Sequence, residues 1–210
     1  MSSLHLRREG FTRTQAVFGT VVFLILTGVL YAGVSSYLKL HGTARALESA
    51  RTLNTLLAQY ATDNDGVYPT GEGTRAQGRS EGIALNLLQN QFTPNVDIFA
   101  VGSTPGYAGT EKDYADLAPE NMSWDFTAAA NATTGIKTDE PDLLPVLYTT
   151  SETVDYRPGQ SVTLSGSGPF GSKGMIVALK SGAVEYRQGA SSIFVSPDFK
   201  GTGTYTQIKP

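Results

Sequence analysis

The chemistry open to this chain rests on carboxylates and hydroxyls. Cysteine is absent, and the two histidines, His5 and His41, both stand near the N-terminus. That excludes a disulfide framework, thiolate catalysis and cysteine-ligated zinc. It also leaves 63–210 without a histidine for a hydrolytic triad, a metal site or a proton shuttle. Two acidic stretches remain. In 61–72, Asp63, Asp65, Gly66 and Glu72 occupy the third, fifth, sixth and twelfth positions of a calcium loop. Ala61 takes the first position, where such a loop needs a principal carboxylate, so a helix-ending turn is the preferred reading. Asp139, Glu140 and Asp142 form the second cluster, read first as a solvated acidic loop. Asp63, Asp65, Asp139 and Asp142 are thus weak candidate ligands for calcium, and no other cofactor is expected.

Other motifs lose on context. Gly166-Ser167-Gly168-Pro169-Phe170-Gly171 fits G-x-G-x-x-G, but a dinucleotide site needs a helix next, and a β-like run follows instead. A turn is the better reading. Ser36 and Lys39 match S-x-x-K without any companion motif. Asn121 and Asn131 open glycosylation sequons to which we attach no function. Tyr107, Tyr114, Trp124 and Phe126 could line a binding patch, although core packing explains them more simply. No pair of groups stands out as catalytic, and the chain is not expected to be an enzyme.

The elements that must carry these residues follow from pattern. The 210 residues suit one anchored domain, and a net charge of −3 gives no basic face for nucleic acid. From Thr14 to Leu38 there is no charged residue, a run of roughly 25 where about 20 apolar residues span a bilayer. The run is longer than the apolar core of a signal peptide, and a cut after Ala32 would put Leu30 where a small residue is preferred. Arg7, Arg8 and Arg13 should keep the N-terminus cytoplasmic and send the C-terminal part across the membrane. Gly19, Gly28 and Gly33 within the run would permit close helix approach.

Beyond the run, Leu40, Ala44, Leu47, Ala50, Leu53, Leu57 and Tyr60 share one helical face, with Arg45, Glu48, Arg51, Thr52, Thr55 and Gln59 around the rest. This amphipathic half needs a partner, which a sheet from the remaining chain would supply. Gly42 is a candidate bend point. Asp63-Asn64-Asp65-Gly66 should stop the helix. A short helix is expected over 81–91 and another near 112–117. Strands are expected over 122–127, 143–150, 161–165, 174–179 and 183–187, with an edge at 193–196 and a hairpin turn at Lys180-Ser181-Gly182.

Two segments together carry a family resemblance. Gly10-Phe11-Thr12 follows a basic leader and precedes the apolar run. Then QYATDNDGVYPTGEG (59–73) closes the long helix. Both resemble type IV pilins and type II secretion pseudopilins, and GPFGSKGMIVALKSGAVEYR (168–187) is loosely similar to the family's final hairpin. The resemblance implies cleavage between Gly10 and Phe11 by a prepilin peptidase and methylation of the new Phe11 terminus. It further implies an inner-membrane anchor that later packs into a filament with other pilin or pseudopilin subunits. The implied fold is α+β: a long N-terminal helix, half membrane-embedded and half amphipathic, on a small antiparallel sheet. The implied segments are a leader at 1–10, a membrane and filament-core helix at 11–38, its amphipathic continuation at 39–62 and an extracytoplasmic head at 63–210. Some pseudopilins bind calcium in loops of the sheet domain, which adds weight to Asp139 and Asp142. Two assembly positions depart from the family. Gln15 stands where a Glu is usual, and Arg13 where an aliphatic residue is usual. An amide cannot neutralise an ammonium group, so a divergent or minor subunit, or a relative that stays uncleaved, is expected. The rival reading is an uncleaved, membrane-anchored periplasmic binding module.

Overall fold

The computed structural model describes residues 13–109, 114–189, 192–201 and 203–210, and within 13–41 it describes side chains at Val22, Phe23, Leu24 and Thr27. The chain forms two compact units, Met1–His41 and Gly42–Pro210. Helix α1 (Arg13–Asp63) contains no proline and takes part in both. Among the described residues no helix is long and apolar enough to cross a membrane. The expected membrane run at 14–38 lies largely outside the described side chains. Gly42 remains helical.

Within the second unit α1 buries Ala46, Ala50, Leu53, Leu56, Leu57, Tyr60 and Ala61. Arg45, Glu48, Arg51, Thr55 and Gln59 stay in solvent. The stripe is wider than its expected version and slightly rotated: Ala46 replaces the exposed Ala44, and Leu47 is half-buried. Asn54 is drawn in as well, because its Nδ2 donates to the Leu179 carbonyl at 2.9 Å and so stays satisfied. The helix stops where expected. Asp65 has φ +53°, and the Gly66 N–H donates back to the Ala61 carbonyl at 2.8 Å, a left-handed closing turn.

The partner is an antiparallel sheet of five strands, as the fold class α+β requires. Strands β1 (Trp124–Ala129), β2 (Pro145–Thr149), β4 (Gly174–Leu179), β5 (Val184–Gln188) and β7 (Tyr205–Ile208) lie in the order β5-β4-β2-β1-β7. Every neighbouring pair is antiparallel. Residues of β2 and β4 are buried throughout, so both sheet faces are covered there. Strands β5 and β7 form the half-exposed edges. The hairpin turn before β5 falls at Lys180-Ser181-Gly182, with Gly182 at φ +92°.

Two expectations are corrected, and one strand was not foreseen. Strand β6 (Ser192–Ile193) pairs with β3 (Ser161–Val162) in a separate two-stranded ribbon and adds no edge to the main sheet. The edge beside β1 is β7 instead, whose polar Thr206 and Gln207 gave it no apolar pattern to recognise. The helix expected near 112–117 is a turn over its described part, 114–117, and Tyr114 sits at φ +51°. Helix α2 (Ser80–Gln89) is buried over nearly its full length. It is tied to the end of β7, since Ser80 N–H donates to the Lys209 carbonyl and Ser80 Oγ to that of Ile208.

Candidate functional site

The processing residues Gly10 and Phe11 lie outside the described residues. Arg13 and Gln15 belong to the α1 backbone, with side chains outside them. The described part of the same segment is apolar and uncovered: Phe23 is 68% exposed, Leu24 63% and Val22 38%. Thr27 Oγ1 donates to the Phe23 carbonyl at 2.8 Å. This is the same bond to the carbonyl four residues back that the exposed Thr55 and Thr62 make later in α1.

The two acidic stretches, distant in sequence, meet at their shoulders. Val67 and Lys137 form an antiparallel bridge, and Thr138 N–H donates to the Gly66 carbonyl at 2.9 Å. Their carboxylates do not converge: among the described residues no group of three or more acidic or histidine side chains could hold a metal. Asp142 is instead paired with Lys180 at 3.0 Å, and that ammonium also donates to the Thr138 carbonyl at 2.9 Å. Glu140 accepts from Tyr205 Oη. Burial first, then the Glu140 bond, pushes the Tyr205 phenol up. Asp63 closes α1 and Asp65 supplies its left-handed residue, so both have a backbone duty.

The remaining candidates are structural. Trp124 is fully buried and donates Nε1–H to the Ile98 carbonyl at 2.9 Å, and Phe126 is buried beside it. The rings of Tyr107 and Tyr114 pack 5.9 Å apart. Asn131 Oδ1 accepts from Thr133 N–H, holding a turn. The run 166–171 makes a turn and a short 3-10 helix ahead of β4, where a dinucleotide fingerprint would require a longer helix.

Sequence reasoning missed a buried polar network on the sheet face that carries Asp125 and Tyr148, paired across β1 and β2. Asp125 is fully buried. Its Oδ1 accepts from Thr150 Oγ1 at 2.8 Å, and its Oδ2 faces Gln207 Nε2 at 3.5 Å. Burial is the main reason its pKa is pushed up to about 7, against the lowering effects of Thr150 and Lys209. Next to it Tyr148 Oη meets Tyr156 Oη at 2.7 Å, which meets Thr127 Oγ1 at 2.8 Å. Burial raises the Tyr156 phenol to about 12, so both phenols stay protonated and can donate. One signal was available: Asp125 interrupts an otherwise apolar strand between Trp124 and Phe126, where a solvent-facing acid needs an open sheet face. Comparison of the chain with protein-family models, with curated proteins and with solved structures returns no match.

Proposed function

We propose that the chain is a structural subunit of a type II secretion or type IV pilus-like filament, a pseudopilin or minor pilin-like protein. It is processed after Gly10 by a prepilin peptidase and assembled through its N-terminal helix. The observation that carries this reading is the uncovered apolar surface at Val22, Phe23 and Leu24, on the same helix whose later turns bury their stripe in the second unit. A surface of that kind needs lipid or other helices to cover it. The uncharged run 14–38 and the arginines ahead of it support a single-pass inner-membrane anchor with the head outside the cytoplasm. The reading also draws on the helix-closing turn at Asp65-Gly66 and the hairpin of β4 and β5.

The mechanism is mechanical. The apolar helix leaves the bilayer sideways and exchanges lipid contacts for helix contacts of similar kind, so the transfer is not strongly uphill. Gln15 leaves the neighbouring N-terminal amine without a carboxylate, which suits a subunit with few neighbours. The absence of cysteine makes a clean test available. A single Phe23→Cys substitution, oxidised in membranes of cells making the full system, should give covalent adducts to copies or related subunits. A Gln59→Cys control on the exposed head side of α1 should not. Adducts absent at Phe23→Cys at every expression level would favour the uncleaved, non-assembling binding module.

A further inference from the structure

The first turn of α2 is pressed onto the loop before it. An added Cβ at Gly82 would stand 2.0 Å from the Ala76 carbonyl oxygen, so no side chain fits between them. Thr74 holds that loop: its Oγ1 donates to the Gly71 carbonyl at 2.6 Å and accepts from Ala76 N–H at 3.3 Å. The consequence falls on Glu81, which is carried inward until its side chain is only 5% exposed. Its Oε2 is buried and has no hydrogen-bond partner among the described residues. Its Oε1 faces Arg79 Nη1 at 3.5 Å, longer than a direct hydrogen bond. Buried acceptors are satisfied in nearly all folded proteins, so an unmet carboxylate oxygen calls for a cause.

Glu81 lines a cavity of about 410 Å³ between this loop and residues 115–119, a size that suits a small ligand. Arg75, Arg79 and Asp116 are its other charged groups, and Ala76, Leu117 and Pro119 give it small apolar walls. Both walls are fixed. Arg75 Nη2 donates to the Leu117 carbonyl at 2.6 Å, and Ala118 N–H donates to Asn121 Oδ1 at 3.2 Å. A guanidinium has five N–H groups, so the two arginines keep donors to spare. Arg79 is 62% exposed and stands at the mouth, whereas Glu81 lies deep.

This arrangement sorts ligands by charge. A bare anion would suit the arginines but leave Oε2 unmet. A bare cation would suit Glu81 but face two guanidinium groups. A molecule with an N–H cation at one end and a carboxylate at the other answers both. The last torsion of a Glu side chain is broad, so a small turn presents Oε2 to the cavity. No aromatic ring stands among the described lining residues to stack a sugar, and the small walls admit a short aliphatic group.

We propose that this cavity binds a small α-amino acid as its zwitterion. The ammonium group donates to Glu81 in the interior, and Arg79, with Arg75 beside it, holds the carboxylate at the mouth. The site lies within the second unit, and its occupancy does not depend on processing or assembly of the N-terminal helix.

Hydrogen exchange on the full chain in detergent micelles at neutral pH tests this, with glycine, L-alanine and L-leucine as probes. At about 10 mM, at least one of the three should slow exchange over 75–82 and 115–118 by roughly threefold or more, with β4 and β5 unchanged. Ethylamine and propionate, each lacking one charged end, should not. Glu81→Gln should abolish the slowing. Arg79→Gln changes an exposed side chain, so it keeps the test open should Glu81→Gln not fold, and it should weaken the slowing as well. No slowing with any of the three amino acids overturns the proposal. So does equal slowing by ethylamine or propionate, or slowing that persists unchanged in Arg79→Gln.

Discussion

Asp125 folds most readily as a neutral acid. Its folded pKa, about 7, lies above the ordinary 3.8, so the folded state binds the proton more tightly than the unfolded state does. The stability this group contributes is full below the unfolded value and is lost as pH rises through the folded one. On that basis the protein should lose on the order of 3–4 kcal/mol between about pH 4 and about pH 8 from this residue alone. Asp125→Asn, which keeps the shape and removes the charge, should flatten the loss. Denaturant melts at several pH values would read it, and a wild-type profile with no fall above pH 6 or so would contradict the assignment. Gly66 is a second residue with a sharp requirement. Its φ is +78°, and an added Cβ would stand 2.8 Å from Thr138 Oγ1. Gly66→Ala should therefore lower stability by about 1–2 kcal/mol in equilibrium unfolding.

At the scale of elements, the second half of α1 is held by its buried stripe. Leu53 is fully buried, and Leu53→Ala should cost about 2–5 kcal/mol through lost transfer energy and a cavity. Leu47→Ala, half-buried, should cost clearly less, and the ratio of the two in urea melts checks the orientation of the helix. These turns were legible because Ala50, Leu53, Leu57 and Tyr60 repeat at helical spacing. Strands β1, β2, β4 and β5 were legible too, as apolar runs bounded by turn residues. Strand β7 was not, because it is a short edge with Thr206 and Gln207 in its middle, and only its pairing with β1 makes it a strand. The Asp125 network escaped for a related reason. Its members lie on β1, β2, β7 and the segment 150–156, far apart in sequence, and no local spacing joins them. The acidic clusters were legible as clusters. Their engagement with Lys180, Tyr205 and the end of α1 depends on long-range contacts that a sequence pattern does not contain.

For the whole molecule, the proposed function draws on two units. In the first unit α1 exposes Val22, Phe23 and Leu24, and residues from Gly42 on form a folded unit with its own core. Gln15 tests the assembly half of this account. If a missing charge is tolerated because few neighbours follow, Gln15→Glu should leave incorporation unchanged or raise it, measured as the sheared extracellular fraction against the membrane fraction. Loss of incorporation would mean that the amide has a positive duty. The most direct measurement is the intact mass of the native protein extracted from its own membranes. The account predicts a chain that begins at Phe11, with or without one added methyl group, and lacks residues 1–10. A chain that still begins at Met1 would contradict it.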